Sequence, residues 1–210
     1  MNAFCIHLPH RTDRMDHMKR MQETYPFLTI HFVEGIRHEN GAIGCLRSHK
    51  KILQMAKEQH LPYVLVLEDD CEFLLSPAYL KNTISEILEY MNTHPEIQIV
   101  NGCGNLVEFK VQQTDKFKHT FFLRSPDVRT THCIFYSASS YDRVLECPES
   151  IAIDEFLNHC NMVYSYPYIA QQLESFSDIN NQVVRYTNID KSMNFVKNHV
   201  YQRINLPLIR

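Results

Sequence analysis

The sequence predicts an α/β fold with a mostly parallel central sheet flanked by helices, and three observations carry that prediction. Short apolar runs closed by polar or turn residues alternate with stretches whose apolar residues recur at helical spacing. One run, "YVLVLE" at 63–68, is unbroken in its hydrophobicity, which marks a strand covered on both faces. The 210 residues, 44% of them hydrophobic, fit one domain with a real core and fall short of two.

Taken in order, "AFCIHL" (3–8) is a first strand ended by Pro9. "RTDRMDHMKRM" follows with Met15, Met18 and Met21 at helical spacing. "TIHFV" (29–33) is a second strand closed by Glu34-Gly35. Residues 41–58 form a helix with Ile43, Leu46, Leu53 and Met55/Ala56 on one face, and 63–68 is the central third strand. "SPAYLKNTISEILEYM" starts a helix at a Ser76 cap with Pro77 in the first position, and "IQIV" (97–100) is a fourth strand broken by "NGCGN". A looser β-rich section runs to "HCIFYS" (132–137), followed by helices at "ASSYDRVLE" and "AIDEFLNHC". Strands separated by helices of this length are βαβ units. The whole of 1–210 is expected to be one domain, with halves near 1–105 and 106–190 and a basic tail from 191.

Composition removes several classes. Net charge is −3 and the pI near 6.4, so the chain lacks the basic field of a nucleic-acid binder. No apolar run approaches a membrane span, and "MNAFCIHLPHRTDR" has neither the basic start nor the long apolar core of a signal peptide. These features set the expectation of a cytoplasmic chain, or one peripheral on the cytoplasmic membrane face. Seven cysteines, without a CxxC or framework spacing, suit reduced thiols. Twelve histidines are dispersed with no HExxH or paired i, i+4 arrangement, which argues against a zinc site.

The chemistry concentrates at Glu68, Asp69 and Asp70, three acids following a buried strand. Ligands of open α/β sheets bind outside the carboxyl ends of the strands. Adjacent carboxylates repel, and Mg²⁺ or Mn²⁺ shared with substrate phosphates is one natural counter-charge. Acids that complement a helix N-terminus, with no ligand, are the plainer account. Arg11 and Arg14 lie on one face of the helix start, either at a nucleotide or paired on the surface with Asp13 or Asp16. Gly41 and Gly44 weaken the helix they sit in, so close packing or approach to a phosphate must require them.

Six blocks in order extend this pattern: "IHLPHRTDRMDHM" (6–18), "VEG" (33–35), "GAIGCLRSHKKIL" (41–53), "VLVLEDDCEF" (64–73), "SIAIDEFL" (150–157) and "YPYIAQQLESFSDI" (166–179). The ordered set resembles glycosyltransferase family 25, which includes bacterial lipooligosaccharide β-galactosyltransferases and collagen galactosyltransferase domains. The resemblance implies a GT-A type fold with a Rossmann-like nucleotide-binding half. It also implies a UDP-sugar donor, a saccharide or glycoconjugate acceptor, inversion of configuration and a divalent metal, Mn²⁺ or Mg²⁺. By the same resemblance the acids become a DxD-like motif. Asp70 would ligate the metal, with Glu68 beside it at the ribose or a metal-bound water, and Asp69 would orient a neighbour. Donor contacts fall on Leu8, Arg11, Arg14, Glu34, Gly35, Ser48 and His49. His7 stands where the family has asparagine, Glu34 where it has aspartate, and Arg47 where it has an apolar residue.

Transfer to a hydroxyl needs a general base. Asp154 matches the aspartate of the family block and is the candidate, with Glu155 as alternative; an acid at a helix start is also an ordinary cap. His132 and His199 could complete a metal shell. With no Trp in the chain, Tyr136, Tyr164, Tyr166 and Tyr168 are the aromatics left to stack on a sugar. The tail from Lys191 holds basic residues and no acid, and either packs on its own domain or lies weakly on an anionic membrane. The expected function is hexosyl transfer from a UDP-sugar, galactose before glucose. A catalytically inactive binding or adhesion module with the same fold is the alternative. A nucleotidyltransferase would need a lysine-bearing glycine loop after the first strand, and none is there.

Overall fold

The computed structural model describes residues 1–177, 182–184 and 187–204. The first half runs β1 (Asn2–His7), α1 (Thr12–Thr24), β2 (Thr29–Glu34), α2 (Gly41–Glu58), β3 (Tyr63–Glu68), β4 (Cys71–Phe73), α3 (Pro77–Thr93) and β5 (Ile99–Asn101). Five short strands follow: β6 (Asn105–Leu106), β7 (Gln112–Lys116), β8 (Phe121–Arg124), β9 (Val128–Arg129) and β10 (Cys133–Ser137). The chain then forms α4 (Tyr141–Leu145), α5 (Ile153–Leu157), β11 (Met162–Tyr166), β12 (Ala170–Gln172), β13 (Ser175–Ser177), β14 (Gln182–Val184) and α6 (Thr187–Ile204).

Eight strands make the central sheet in the order β2-β1-β3-β10-β5-β11-β8-β7. β1 pairs in parallel with β2 and β3, and β5 with β11; the other neighbours are antiparallel. Following those pairings, β10 and β8 are the two strands that run against the rest. The α/β layout is therefore as the sequence predicts, in a mixed sheet that draws strands from both halves of the chain.

Period-two alternation sorts the strands onto two cores. Val64 and Val66 of β3 face one core with Leu46, Ile52 and Leu53 of α2, Leu157 of α5 and Val196 of α6. Leu65 and Leu67 face the other, with Met18 and Met21 of α1 and Leu80, Ile84 and Ile87 of α3. β1 is sorted likewise, Phe4 and Ile6 against Ala3 and Cys5. α1 and α2 thus cover opposite faces, and the chain leaves β1 toward β2 on one side and returns to β3 on the other. That is a topological switch point, where α/β sheets form their ligand crevice.

Helix boundaries follow local chemistry. Asn40 caps α2, its side chain accepting from the Ala42 N–H at 3.0 Å. Pro77 opens α3 as expected, whereas the Ser76 hydroxyl makes no capping bond. The described part of the tail packs on its own domain: Val196 and Val200 of α6 are buried, as is Ile189 just before the tail, and the Ser192 hydroxyl accepts from the Leu106 N–H at 3.0 Å. No helix among the described residues is long and apolar enough to cross a membrane. All seven cysteines are free thiols.

Candidate functional site

Strand register brings the candidates to one edge. Ile6 of β1 pairs with Glu68 of β3, and His7 with Glu34 of β2, so the ends of three parallel strands lie side by side. Leu8, Arg11, Glu34, Gly35 and the three acids share that edge. Gly35 donates its N–H to the His7 carbonyl at 2.9 Å, and a Cβ there would sit 3.1 Å from Ile6 and 3.2 Å from Leu8, closer than a side chain comfortably allows.

The alternation that sorts the core also divides the acids. Glu68, continuing Val64 and Val66, meets α2. Its Oε1 accepts from Thr131 Oγ1 at 2.5 Å and lies 3.6 Å from His49 Nε2 and 3.9 Å from Cys45 Sγ. Burial pushes its pKa up, but His49, Thr131 and His132 together hold it below the usual range.

Asp69 and Asp70 meet α1 instead. Asp69 accepts from Arg14 Nη1 at 2.7 Å, contacts His7 Nδ1 at 3.1 Å and receives the Leu8 N–H at 3.4 Å. Arg14 Nη2 lies 3.2 Å from Asp70. Burial works against the Arg14 charge, yet Asp70 and Asp69 keep its pKa above the ordinary value. Arg14 is thus a counter-charge built into the protein. Asp70 is 4% exposed, and its Oδ1 has no hydrogen-bond partner. Burial, then the Glu68 charge, pushes the Asp70 carboxyl up to about 7, against the pull of Arg14 and a bond from the Gln172 side chain. An orphaned carboxylate oxygen at this edge fits a ligand for a hard divalent cation.

Other candidates are placed less centrally. Arg11 is buried and grips Asp13 through Nε (3.1 Å) and Nη2 (3.0 Å), the pairing anticipated as its plainer role, and Asp13 is held at about 2 by it. Ser48 is 3% exposed and satisfied internally, donating to the Gly44 carbonyl and accepting from the Ile36 N–H, both at 2.7 Å. Gly44 answers to packing, since a Cβ would stand 2.6 Å from the Ile36 carbonyl. Glu34 is exposed, its carbonyl taking Lys51 Nζ at 2.8 Å. Tyr136, Tyr164 and Tyr168 are buried, which corrects their reading as a sugar platform; Tyr166 alone of the four is partly exposed. His132 is wholly buried near Glu68, and burial pushes its pKa down to about 4. His199 belongs to α6, its ring stacked near Phe195.

Asp154 and Glu155 open α5, Asp154 half-buried and Glu155 exposed. Asp154 accepts from the Glu155 N–H at 2.8 Å, and Arg129 Nη1 lies 3.8 Å from Asp154 and 3.5 Å from Glu155. Arg129 was not foreseen, because only the β9 turn brings it to α5. Ile153 and Leu157 of α5 pack into the same core as Leu46 and Leu53 of α2, which puts Asp154 on the α2 side of the sheet. On the β4 side, a cavity of about 360 Å³ is lined by Glu72, Gln171, Gln172, Glu174 and Asp190 among others. It adjoins the acids through Gln172 and through Leu173, whose N–H bonds the Asp70 carbonyl at 2.8 Å. Asp178, also of the last block, lies outside the described residues.

Residues 9–193 match the sequence model of glycosyltransferase family 25 (LPS biosynthesis protein). The chain belongs to glycosyltransferase family 25. No curated protein matches it. Among solved structures it is similar to a glycosyltransferase involved in the glycosylation of the major capsid of PBCV-1, at 15% identity and a TM-score of 0.43, over 68% of this chain and 62% of that one. The chain thus spans about three-fifths of that protein's length. A197 from STIV aligns at 11% identity and a TM-score of 0.49, over 87% and 92% of the two chains. An apo UDP-glucose pyrophosphorylase aligns at 10% identity and 0.42, over 91% and 71%.

Proposed function

We propose that this family 25 chain is a metal-dependent, inverting glycosyltransferase that moves a hexose from a UDP-sugar to a hydroxyl of a saccharide or glycoconjugate, with galactose preferred over glucose. The observation that carries the reading is Asp70: a buried carboxylate at the switch-point crevice, with one oxygen left unbonded. Mn²⁺ or Mg²⁺ would be held by Asp70, with Glu68 beside it, and would supply charge stabilisation to the departing diphosphate. The chain's own residues do the rest. Arg14 and His7 fix the Asp69-Asp70 turn; Leu8, Arg11, Glu34 and Gly35 edge the nucleotide; Ser48 and His49 position α2 from behind. Asp154 takes the proton of the acceptor hydroxyl, with Glu155 as the neighbouring alternative and Arg129 beside the pair. The cavity beside Gln171 and Gln172 supplies amide and carboxylate groups suited to acceptor hydroxyls.

A second reading, a non-catalytic binding module, has one observation in its favour: Arg14 already pairs with both Asp69 and Asp70 without any ion. Thermal unfolding with UDP, Mn²⁺, both, and both plus EDTA separates the two. Ligand at about a hundred times its Kd adds roughly 2.7 kcal/mol, or about 5–10 °C for a chain of this length. A shift that needs UDP and metal together and disappears in Asp70→Ala supports the transferase. No shift with any nucleotide favours the module.

A further inference from the structure

The acid that turns toward α2 stands in a second cluster, separate from Asp70. Cys45 Sγ, His49 Nε2 and Glu68 Oε1 all lie within 4.8 Å of one another. A tetrahedral ion with bonds of about 2.3 Å to sulfur and about 2.0–2.1 Å to nitrogen and oxygen sets its ligand atoms about 3.4–3.6 Å apart. The separations found are 3.9 Å between sulfur and oxygen and 3.6 Å between nitrogen and oxygen, within a few tenths of an ångström of that figure.

Two further features point to a ligand. His49 is 0% exposed, and its Nε2, aimed into the cluster, has no hydrogen-bond partner. Its other nitrogen, Nδ1, lies 3.0 Å from the Tyr136 hydroxyl, which fixes the ring the way outer partners fix a metal-ligating histidine. Thr131 Oγ1 closes the remaining side, 2.5 Å from Glu68 Oε1 and 3.9 Å from Cys45 Sγ. Cys45 and Glu68 are partly exposed, which leaves an entry path.

We infer that Cys45, His49 and Glu68 form a binding site for one zinc-class divalent cation, with water at the fourth position and Thr131 hydrogen-bonded to Glu68 from outside. Thiolate and imidazole select zinc or cobalt over manganese and magnesium, which favour all-oxygen sets. On binding, the sulfur–hydrogen bond of Cys45 breaks, the proton passes to solvent and the sulfur lone pair bonds the metal, with no change of oxidation state. The ion would tie α2 to the end of β3 and fix Glu68 next to the donor crevice.

The test is cobalt and zinc titration of the full chain, purified without a histidine tag, alongside Cys45→Ser, Tyr136→Phe and Asp70→Asn. The expected result is a thiolate-to-cobalt charge-transfer band that saturates at one ion per chain and is displaced by zinc. Cys45→Ser loses the band. Tyr136→Phe, which changes a single hydroxyl, weakens binding by about 10- to 100-fold. Asp70→Asn keeps the band, so the inference stands even if the UDP-dependent shift fails. A wild-type chain that binds neither metal, or a band that survives in Cys45→Ser, overturns it.

Discussion

Arg14 Nη1 donates to Asp69 Oδ1 at 2.7 Å, joining the first helix to the end of the third strand across 55 residues of sequence. The same guanidinium reaches Asp70 at 3.2 Å. Both acids and the arginine are largely withdrawn from water, so the attraction is little screened, but each charge has lost its hydration. The arrangement holds only while it is complete.

Arg14→Met therefore leaves Asp69 and Asp70 buried without their main counter-charge. The expected loss is about 3–5 kcal/mol of unfolding free energy, read by urea denaturation. Adding Asp69→Asn to the same chain should return part of that loss, because one uncompensated charge disappears. If the double variant is as unstable as the sum of the single ones, the pair is not coupled as described.

Asp70 predicts a pH dependence of definite sign. Its carboxyl is raised from 3.8 to about 7 in the folded chain, so between those values the folded state keeps a proton that the unfolded state releases. The contribution of this group to stability is therefore greatest below about pH 4 and falls as pH rises toward 7, by at most about 4 kcal/mol. Asp70→Asn removes the dependence, so its stability should decline less than wild type between pH 5 and 8. Equal slopes for the two chains would contradict the prediction. If Asp70 also ligates the donor's cation, UDP-Mn²⁺ binding should tighten over that range, since only the ionised form coordinates.

Gly44 tests packing. Ala at this position would bring a Cβ to 2.6 Å from the Ile36 carbonyl, and a backbone oxygen cannot step aside as a flexible side chain can. The helical propensity of Ala gains about 1 kcal/mol, while overpacking costs about 1–3 kcal/mol. A net destabilisation is expected, measurable as a lower Tm in the free protein. Gly44→Ala that raises the Tm would show the 36–38 loop to be free to move.

Much of the frame was legible because burial is written in period. The unbroken run 64–67 gave β3, and its alternation continues one step further to send Glu68 to α2. The 41–58 helix was readable from Leu46 and Leu53, and matches the structure at both ends. The strand β11 was not foreseen, because its pairing partners are distant: Tyr164 meets Leu123, and Val163 meets Val100. At the site, the residue types were visible but their partners were not. Nothing in "HRTDR" says that Arg14 reaches Asp69 and Asp70 while Arg11 grips Asp13, nor does "RTTHC" say that Thr131 donates to Glu68. Those choices depend on how α1 and β10 dock, which is a property of the assembled sheet.

Asp154 and Glu155 offer the last discrimination, because two adjacent acids on a short helix face different surroundings. Asp154 is half-buried on the α2 side, whereas Glu155 is exposed and held only loosely by Arg129 at 3.5 Å. A general base must reach the acceptor hydroxyl inside the crevice, and its removal costs about 100- to 10,000-fold in rate. Asp154→Asn should lower kcat by that order, with the UDP-Mn²⁺ thermal shift retained, since the donor site is untouched. Glu155→Gln should change kcat by less than about tenfold, the effect of a surface charge rather than a proton acceptor. UDP release in the presence of a competent acceptor reads both variants. A larger loss in Glu155→Gln than in Asp154→Asn would move the base one residue along the helix, and an equal, small effect in both would remove α5 from the chemistry.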